Sequence, residues 1–291
     1  MGMAENETAN SIDAVRRFYA EELFCVNHID APALLAAFAT VPRERFVGPG
    51  PWMIQSHGAG WMTADEDPRH LYRDALVVLD EAKHLNNGQP SLWAIHFSLL
   101  GVRPGEAILH LGCGTGYYSA ILAELTGPTG KVKAIEIDEG LAARARVALE
   151  PWPQVTAVHS DGARGPFEPA DVIVVSAGAT HPLAAWLAAV KPEGELLFPL
   201  TSTRGPGTMA HLARKSVDRF SAALIGSVFF VDFCGARDPD TSHDLARALR
   251  RDQGASVQSL RCDAHAKDAS CWLHGAGWCF SRAAAITSSD D

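Results

Sequence analysis

From residue 107 onward, short apolar runs alternate with stretches typical of helices, and this alternation is the feature that most limits the folds open to the chain. Strands separated by helices form right-handed βαβ units, which place the strands parallel in one sheet. The predicted parallel strands lie at 107–111, 132–137, 155–159, 172–176 and 195–199. The sequence therefore predicts an α/β fold built on a mainly parallel sheet.

Two further apolar runs, at 209–213 and 222–233, follow without a helix between them. Consecutive strands with a short connection pair antiparallel, so we expect these two at an edge of the sheet. After residue 234 the sequence predicts a helix near 243–251 and a glycine-centred hairpin over 272–280. The predicted fold is thus a Rossmann-like sheet of seven strands with extra C-terminal segments.

The N-terminal part of the chain is predicted to be helical. Ser11 can cap a first helix, and a second helix over 32–40 ends before Pro42, because the residue before a proline is disfavoured in helical conformation. Glycine and proline in the stretch 46–61 indicate irregular chain. We therefore divide the sequence into a helical segment (1–90), a ligand-binding domain (91–233) and a C-terminal extension (234–291).

Composition excludes several classes of protein. The chain has 291 residues, 47% of them hydrophobic, and a net charge of −9. It can bury a sizeable core, while its acidic balance disfavours nucleic acid as a partner. No run approaches the roughly 20 apolar residues that span a bilayer, and the polar residues 1–10 lack a signal-peptide core. We therefore expect a cytoplasmic protein with no membrane partner and with reduced thiols, and the oligomeric state stays open.

A glycine-rich turn follows the first predicted parallel strand. In the string Ile-Leu-His-Leu-Gly-Cys-Gly-Thr-Gly-Tyr at 108–117, a strand leads through three glycines into a helix. Glycine allows a sharp turn and lets a ligand lie against bare backbone, while the helix N-terminus offers unpaired N–H groups. This arrangement predicts a nucleotide-like ligand, although a glycine triplet alone is weak support for one.

Polar residues lie at the carboxyl ends of the next predicted strands. Glu136 is placed where a carboxylate can accept both hydroxyls of a ribose, and Asp161-Gly162 can face an adenine amino group. Open α/β sheets bind ligands at the carboxyl ends of their strands. The candidate cofactor-binding residues are Gly112, Cys113, Gly114, Gly116, Glu136, Ile137, Asp161, Gly162 and Ser176.

The spacing of the glycines distinguishes between two classes of cofactor-binding turn. A dinucleotide-binding turn reads G-x-G-x-x-G/A, but Tyr117 occupies its last position here. The observed G-x-G-x-G resembles motif I of class I S-adenosylmethionine (SAM)-dependent methyltransferases. Over about 34–233 the sequence also resembles the protein-L-isoaspartate O-methyltransferase (PCMT) family. The segments that carry this resemblance are 41–47, 72–76, 88–90, 111–117, 161–165 and 187–199.

The resemblance implies a seven-stranded methyltransferase fold with SAM as the cofactor. It also implies that the three glycines of the turn line the methionine part of SAM, that Glu136 holds the ribose, and that Asp161 and Gly162 meet the adenine. Residues 176–178 would form a wall between cofactor and substrate. The extra length at both ends of the chain is the predicted substrate cover.

The sequence departs from the family pattern at two positions. His110 stands where methyltransferases usually carry Asp or Glu, and it is either a hydrogen-bonding replacement or a buried structural histidine. Gly88 stands where the family signature Ser-Gln-Pro has its serine, so isoaspartyl repair is in question. The candidate substrate-binding residues near it are Asn86, Asn87, Gln89 and Ser91. The alternative is a loop held by amide hydrogen bonds and capped into a helix that begins near Ser91.

The function predicted from these features is SAM-dependent O-methylation of a carboxylate or hydroxyl on a small molecule or a modified peptide. Isoaspartyl repair and a non-catalytic SAM-binding module are the alternatives. No catalytic residue is assigned, because a carboxylate acceptor is already ionised at neutral pH and needs no general base.

Cysteine and histidine residues, which can bind metal ions, also occur near the C-terminus. Cys262-x2-His265, Cys271-x2-His274 and Cys279 have spacings that zinc accepts. The same stretch fits the alternation of a hairpin, which would direct these side chains to different faces. We therefore predict structural packing and no metal.

Overall fold

The computed structural model describes residues 11–56 and 58–285, so the polar residues 1–10 discussed above lie outside the described residues. The helices are α1 (Ile12–Val26), α2 (Pro32–Thr40), α3 (Pro90–Leu100), α4 (Tyr117–Thr126), α5 (Glu139–Ala148), α6 (Ala184–Ala189) and α7 (Pro239–Asp252). The strands are β1 (Met53–Ser56), β2 (Ala59–Met62), β3 (Leu76–Asp80), β4 (Leu85–Asn86), β5 (Ala107–Leu111), β6 (Lys131–Glu136), β7 (Val155–His159), β8 (Ala170–Val175), β9 (Val190–Leu200), β10 (Gly207–Arg214), β11 (Arg219–Val228), β12 (Ser259–Arg261), β13 (Cys271–Gly275) and β14 (Trp278–Ser281).

Local sequence determines where several helices begin and end. Ser11 Oγ accepts a hydrogen bond of 3.2 Å from Ala14 N at the start of α1, as the sequence predicts. α2 begins at Pro32, whose missing N–H costs nothing in the first turn. Asp238 caps α7 by accepting from Thr241 N at 2.6 Å. Among the described helices, none has the length and apolar character needed to cross a membrane.

The chain divides into two compact units. The first comprises the described residues up to Gly105, together with Cys113–Ala134 and Asp138–His159. The second comprises Glu106–Gly112, Ile135–Ile137 and the described residues from Ser160 onward. The three segments inferred from the sequence (1–90, 91–233 and 234–291) remain a prediction.

The second unit is built on a mixed sheet with the strand order β13-β14-β12-β11-β10-β9-β8-β5. β8 pairs parallel with both β5 and β9, whereas β10 pairs antiparallel with β9 and β11. The end of β6 lies beside β5, where Gly112 N donates to Ile135 O at 2.8 Å. The predicted α/β class with parallel strands is confirmed, and so is the antiparallel pairing of β10 with β11. The prediction that this pair lies at an edge of the sheet is wrong, because β12 pairs with β11 and continues the sheet.

The C-terminal strands extend the same sheet. β12 pairs antiparallel with β11, β14 with β12, and β13 with β14, so the predicted hairpin continues the edge of the sheet. Trp186, Phe198, Phe220 and Phe280 are fully buried in the core of this unit. Because side chains from α6 and from the C-terminal strands share this core, the extension is an integral part of the unit.

The first unit contains helices and a small antiparallel sheet in the order β2-β1-β3-β4. Ile54 of β1 and Val77 of β3 are a cross-strand pair, and both are fully buried. The prediction of irregular chain over 46–61 is therefore correct for 47–52 and wrong for 53–56 and 59–61, which are strands. Each of the two strands has four residues. β1 is stabilised by strand pairing and by a small apolar core that includes Ile54, whereas β2 is exposed and is held by its pairing with β1.

Candidate functional site

The glycine turn between β5 and α4 has the backbone conformation that requires glycine. The φ angles of Gly112, Gly114 and Gly116 are +72°, +59° and +96°. A Cβ atom built on Gly114 would meet nothing within 4 Å, so the backbone faces open space there. A Cβ atom on Gly116 would lie 2.7 Å from Leu149 Cδ1, so Gly116 is needed for close packing. The turn thus combines a bare backbone surface with a tightly packed base.

The α4 helix begins directly after this turn. Gly116 is its N-cap and provides no side-chain cap to the first helical N–H groups. Cys113, the cysteine of the turn, is buried, and its Sγ lies 3.6 Å from Gly114 O. An uncapped helix start beside open glycine backbone is suited to polar groups of a ligand.

The second unit brings the predicted strand-end residues to one edge. Gly112 follows β5, and Ser176, which follows β8, donates from its N to Leu111 O at 2.8 Å. Glu136 ends β6, and its carbonyl accepts from Ser160 N at 3.0 Å, which places 160–162 beside it. Because the ends of β5, β6 and β8 lie side by side, their polar groups line the same edge of the sheet.

Glu136 and Ile137 differ in exposure. Glu136 is buried, with 7% of its surface exposed, whereas Ile137 is 45% exposed. A carboxylate that is held near the surface but largely removed from solvent is a strong hydrogen-bond acceptor for hydroxyl groups. An exposed apolar side chain next to it can cover the flat face of a bound ring.

Asp161 and Gly162 form a hydrogen-bonded turn after β7. One carboxylate oxygen of Asp161 accepts from Ala163 N at 2.8 Å, and the other pairs with Arg164 Nε at 3.0 Å. The carbonyl of Gly162 accepts from Trp186 Nε1 at 2.8 Å. These bonds hold the Asp161 carboxylate in one orientation at the strand-end edge.

His110 and Ser176 are linked across β5 and β8. His110 is fully buried, and its Nε2 lies 2.8 Å from Ser176 Oγ. Burial lowers the pKa of His110 to about 3, so the imidazole is neutral at neutral pH. Both predicted possibilities for His110 are therefore combined, since it is a buried histidine that also hydrogen bonds a candidate site residue.

The predicted substrate-side residues lie in the first unit, and Asn87 is the most tightly held of them. Its Oδ1 accepts from Arg43 Nη2 at 2.9 Å, and its backbone N donates to Val77 O at 3.0 Å. Arg43 is fully buried and also donates to the carbonyls of Leu71 and Arg73 at 2.7 and 2.9 Å. Asn87 thus belongs to a buried polar network that fixes the loop before α3.

Gln89 and Ser91 both donate hydrogen bonds to Asp74, a residue for which the sequence predicted no role. One oxygen of Asp74 accepts from Ser91 N at 2.8 Å, and the other accepts from Gln89 Nε2 at 3.0 Å. Asp74 therefore serves as a remote cap for the start of α3, which begins at Pro90. Asp74 lies within the family-like segment 72–76, which is the sequence signal that pointed to it. Asn86 is exposed, and its Oδ1 accepts from Gly88 N at 2.9 Å.

Asp74 and Gln89 also line an open cavity of about 510 Å³ in the first unit. The other lining residues are Gln55, Ser56, Gly58, Ala59, Gly60, Ala75 and Leu76. Amide, hydroxyl and carboxylate groups share this lining with glycine, alanine and leucine residues, and the β1–β2 hairpin forms one wall. Polar groups and a strand edge are typical of surfaces that bind an extended peptide.

Gly88 lacks room for the serine of the family signature. Its φ is +77°, and a Cβ atom would lie 2.7 Å from Trp93 Nε1 and 2.9 Å from Tyr118 Cε2. The Tyr118 hydroxyl donates to Gly88 O at 3.1 Å, so the loop backbone is held against these two rings. Trp93, in the following helix, therefore occupies space that a side chain at position 88 would need.

The C-terminal cysteines and histidines converge, and the expectation that they point to different faces is wrong. The ligand atoms of His265, Cys271, His274 and Cys279 all lie within 4.8 Å of one another. Residues three apart face opposite sides of a regular strand, but the pairing of β13 with β14 shifts register between Cys271 and Leu273. This bulge turns Cys271 to the face that carries His274 and its cross-strand partner Cys279.

Comparison with known proteins agrees with the fold and with the family resemblance. The family described as Protein-L-isoaspartate(D-aspartate) O-methyltransferase (PCMT) matches residues 63–238. A protein-L-isoaspartate O-methyltransferase from Pyrobaculum arsenaticum is 35% identical over 200 residues, which cover 67% of this chain and 88% of the relative. One from Methanothermobacter thermautotrophicus is 28% identical over 225 residues, which cover 76% of this chain and 95% of the relative.

Two solved structures share the fold. A protein-L-isoaspartate O-methyltransferase has a TM-score of 0.62 at 22% identity, with 79% of this chain and 69% of that chain covered. A protein from Plasmodium falciparum, described as a PCMT in complex with S-adenosyl-L-homocysteine, has a TM-score of 0.62 at 15% identity, with 76% of this chain and 98% of that chain covered.

The sheet, the glycine turn and the acidic strand ends define a class I SAM-dependent methyltransferase, an enzyme rather than a binding module. This confirms SAM as the predicted cofactor. The family match covers more than half of the chain. The chain belongs to the PCMT family.

Proposed function

We propose that this enzyme transfers the methyl group of SAM to a carboxylate oxygen of an aspartate-type residue in a peptide. One observation carries the proposal: the family match over 63–238 includes every strand end at which the second unit presents Gly112, Glu136, Asp161 and Ser176. It also includes Asp74 and Gln89, which line the polar cavity of the first unit. Relatives named for isoaspartate methylation support a peptide acceptor.

The residues present suit SAM. The open backbone at Gly114 leaves space that a side chain would fill, and the buried Glu136 offers the carboxylate expected for ribose hydroxyls. Asp161, oriented by its own turn, is proposed to accept from the adenine amino group. When bound, SAM supplies a methyl group already activated on a positively charged sulfur.

The chain's own residues then position the acceptor and exclude water rather than transfer a proton. A carboxylate acceptor is ionised at neutral pH, so it needs no general base. The neutral His110 imidazole and the Ser176 hydroxyl hold the end of β8 in a fixed position without adding charge. Alignment of this kind is worth several kcal/mol when two reactants must meet in one geometry.

On the acceptor side, Gln89 and Asp74 are proposed to contact the peptide along the cavity they line. Asn86 and Ser91 stay predicted substrate residues. Asn87 is proposed to act indirectly, because Arg43 already uses its amide oxygen. Loop rigidity from this buried network would hold Gln89 in place.

A second candidate is methylation of a carboxylate or hydroxyl on a small molecule or a modified peptide other than an isoaspartyl one. Gly88 favours it, because the site has no room for the family's serine beside Trp93. The two candidates share a cofactor and differ only in the acceptor.

The test uses the full chain, methyl-labelled SAM and two peptides of one sequence that contain either aspartate or isoaspartate. Formation of a base-labile methyl ester on either peptide is the expected result, and the ratio of the two kcat/KM values identifies the preferred linkage. A matched set of small carboxylic acids and alcohols is assayed in parallel. Transfer only to small molecules, or only to a base-stable ether, would overturn the peptide carboxylate proposal.

A further inference from the structure

We propose that His265, Cys271, His274 and Cys279 bind one zinc ion in a closed structural site in the C-terminal extension. The four ligand atoms lie within 4.8 Å of one another. Cys271 and Cys279 are buried free thiols, and His265 and His274 are half-buried. Two thiolates and two imidazoles are a ligand set typical of structural zinc.

Two distances between ligand atoms are close to those around a tetrahedral zinc ion. Cys271 Sγ lies 3.7 Å from His265 Nε2 and 3.8 Å from His274 Nδ1. With Zn–S bonds of about 2.3 Å and Zn–N bonds of about 2.0 Å, tetrahedral geometry places sulfur and nitrogen roughly 3.5 Å apart. For these two pairs, shifts of a few tenths of an ångström would reach the tetrahedral distance, and all four ligand atoms already lie within 4.8 Å of one another.

Neighbouring backbone groups orient the ligands. His265 Nδ1 lies 2.9 Å from Asp263 O and donates to this carbonyl, which leaves Nε2 as the lone-pair atom that faces Cys271. Asp268 N donates to Cys271 Sγ at 3.3 Å. Metal-bound histidines usually donate their second ring N–H to a carbonyl or carboxylate, and N–H groups stabilise a thiolate.

The four ligands come from two separate parts of the backbone, a loop and a hairpin. The segment 262–270 between β12 and β13 has no helix or strand, yet it carries His265. His274 and Cys279 are cross-strand partners on the β13–β14 hairpin. A zinc ion would therefore fasten this loop to the hairpin. Four protein ligands leave no open position for a substrate, so the site is structural and separate from methyl transfer.

Cys262 provides a matched control. It belongs to the same pattern of spacings in the sequence, but its side chain packs against the main core and lies outside the four-residue cluster. Packing alone explains Cys262. It does not explain why a register shift turns Cys271 toward two imidazoles and a second thiol.

The test measures the metal in the purified full chain by elemental mass spectrometry. We expect one zinc ion per chain in the wild type and in Cys262→Ser, and a clear loss in Cys271→Ser and in His274→Ala. Reconstitution of chelator-treated wild type with Co²⁺ provides a second readout, because thiolate-to-cobalt charge-transfer bands report the ligands directly.

Wild type that carries no zinc and gives no charge-transfer bands with Co²⁺ would overturn the proposal. A disulfide between Cys271 and Cys279 in protein purified under reducing conditions would also overturn it. Should the substituted chains fail to fold, the cobalt spectrum of the wild type decides. None of these measurements depends on methyl transfer, so their outcome is independent of the proposed function.

Discussion

His110 Nε2 lies 2.8 Å from Ser176 Oγ, and the two residues join the ends of neighbouring parallel strands in the second unit. The usual acidic residue of methyltransferases is thus replaced by a neutral ring that reaches across to the next strand. His110 is fully buried and Ser176 is half-buried, so this bond is partly shielded from water and helps to position Ser176.

The burial of His110 makes the free energy of unfolding depend on pH. The folded pKa of about 3 lies below the unfolded value of 6.5, so the unfolded chain binds more protons between these values. The free energy of unfolding should therefore fall as the pH drops below about 6.5, by at most about 1.4 kcal/mol per pH unit from this group. Urea titrations at pH 7, 6 and 5 should show that the free energy of unfolding falls less steeply with decreasing pH in His110→Gln than in the wild type. His243→Gln, at an exposed position on α7, is the control, and equal slopes for all three proteins would contradict the assignment.

Gly114→Ala should weaken SAM binding by roughly tenfold or more, because the added methyl group would enter the open space proposed for the cofactor. Gly101→Ala is a close control, since Gly101 has a φ of +57° and also nothing within 4 Å of a built Cβ atom. Both variants should lose about 1 kcal/mol of stability from backbone strain. Calorimetric titration with SAM should separate them, and equal affinities would argue against a cofactor contact at Gly114.

Glu136→Gln should lower SAM affinity by about ten- to a hundredfold, because a hydrogen bond to a charged acceptor contributes about 1.5–3 kcal/mol. Glu139→Gln removes an exposed carboxylate three residues later, in the first turn of α5, and should leave affinity unchanged. The binding constant with S-adenosylhomocysteine provides the measurement. Loss of affinity in both variants would point to a general charge effect instead of a specific contact.

Gly88→Ser should destabilise the protein by about 1–3 kcal/mol, since the new side chain collides with Trp93 and Tyr118. Gly58→Ser, at a φ of +79° with open space around it, should cost less. Combined with Trp93→Ala, the serine should be tolerated better than the separate effects predict. A double-mutant cycle in urea measures this coupling, and additive effects would show that Gly88 and Trp93 are independent.

The sequence predicted the parallel strands, the antiparallel pair β10–β11 and the strand-end groups, because hydrophobic period and glycine turns are local properties. It missed the β1–β2 hairpin, whose strands have little apolar alternation and depend on the buried contact of Ile54 with Val77. The role of Asp74 was also missed, because its two hydrogen bonds join residues that are 15 and 17 positions apart.

The cluster of two cysteines and two histidines in the C-terminal extension is a second arrangement that local sequence did not predict. Spacing alone allowed a metal ligand set that included Cys262, while strand alternation argued that the side chains diverge. The register shift at Cys271 reversed that alternation, and the loop 262–270 brought in His265. A bulge is decided by the pairing of two strands, so neither strand predicts it alone.

The sequence by itself determined the α/β alternation, the family resemblance, and the positions of Gly112, Gly114, Glu136 and Asp161 at strand ends. Each of these follows from residue types within a few positions of one another. Only the tertiary structure decided that His110 bonds Ser176, that Trp93 closes the space at Gly88, and that four soft ligands meet in the extension. These relationships join residues that are distant in the chain, and packing and strand register bring them together.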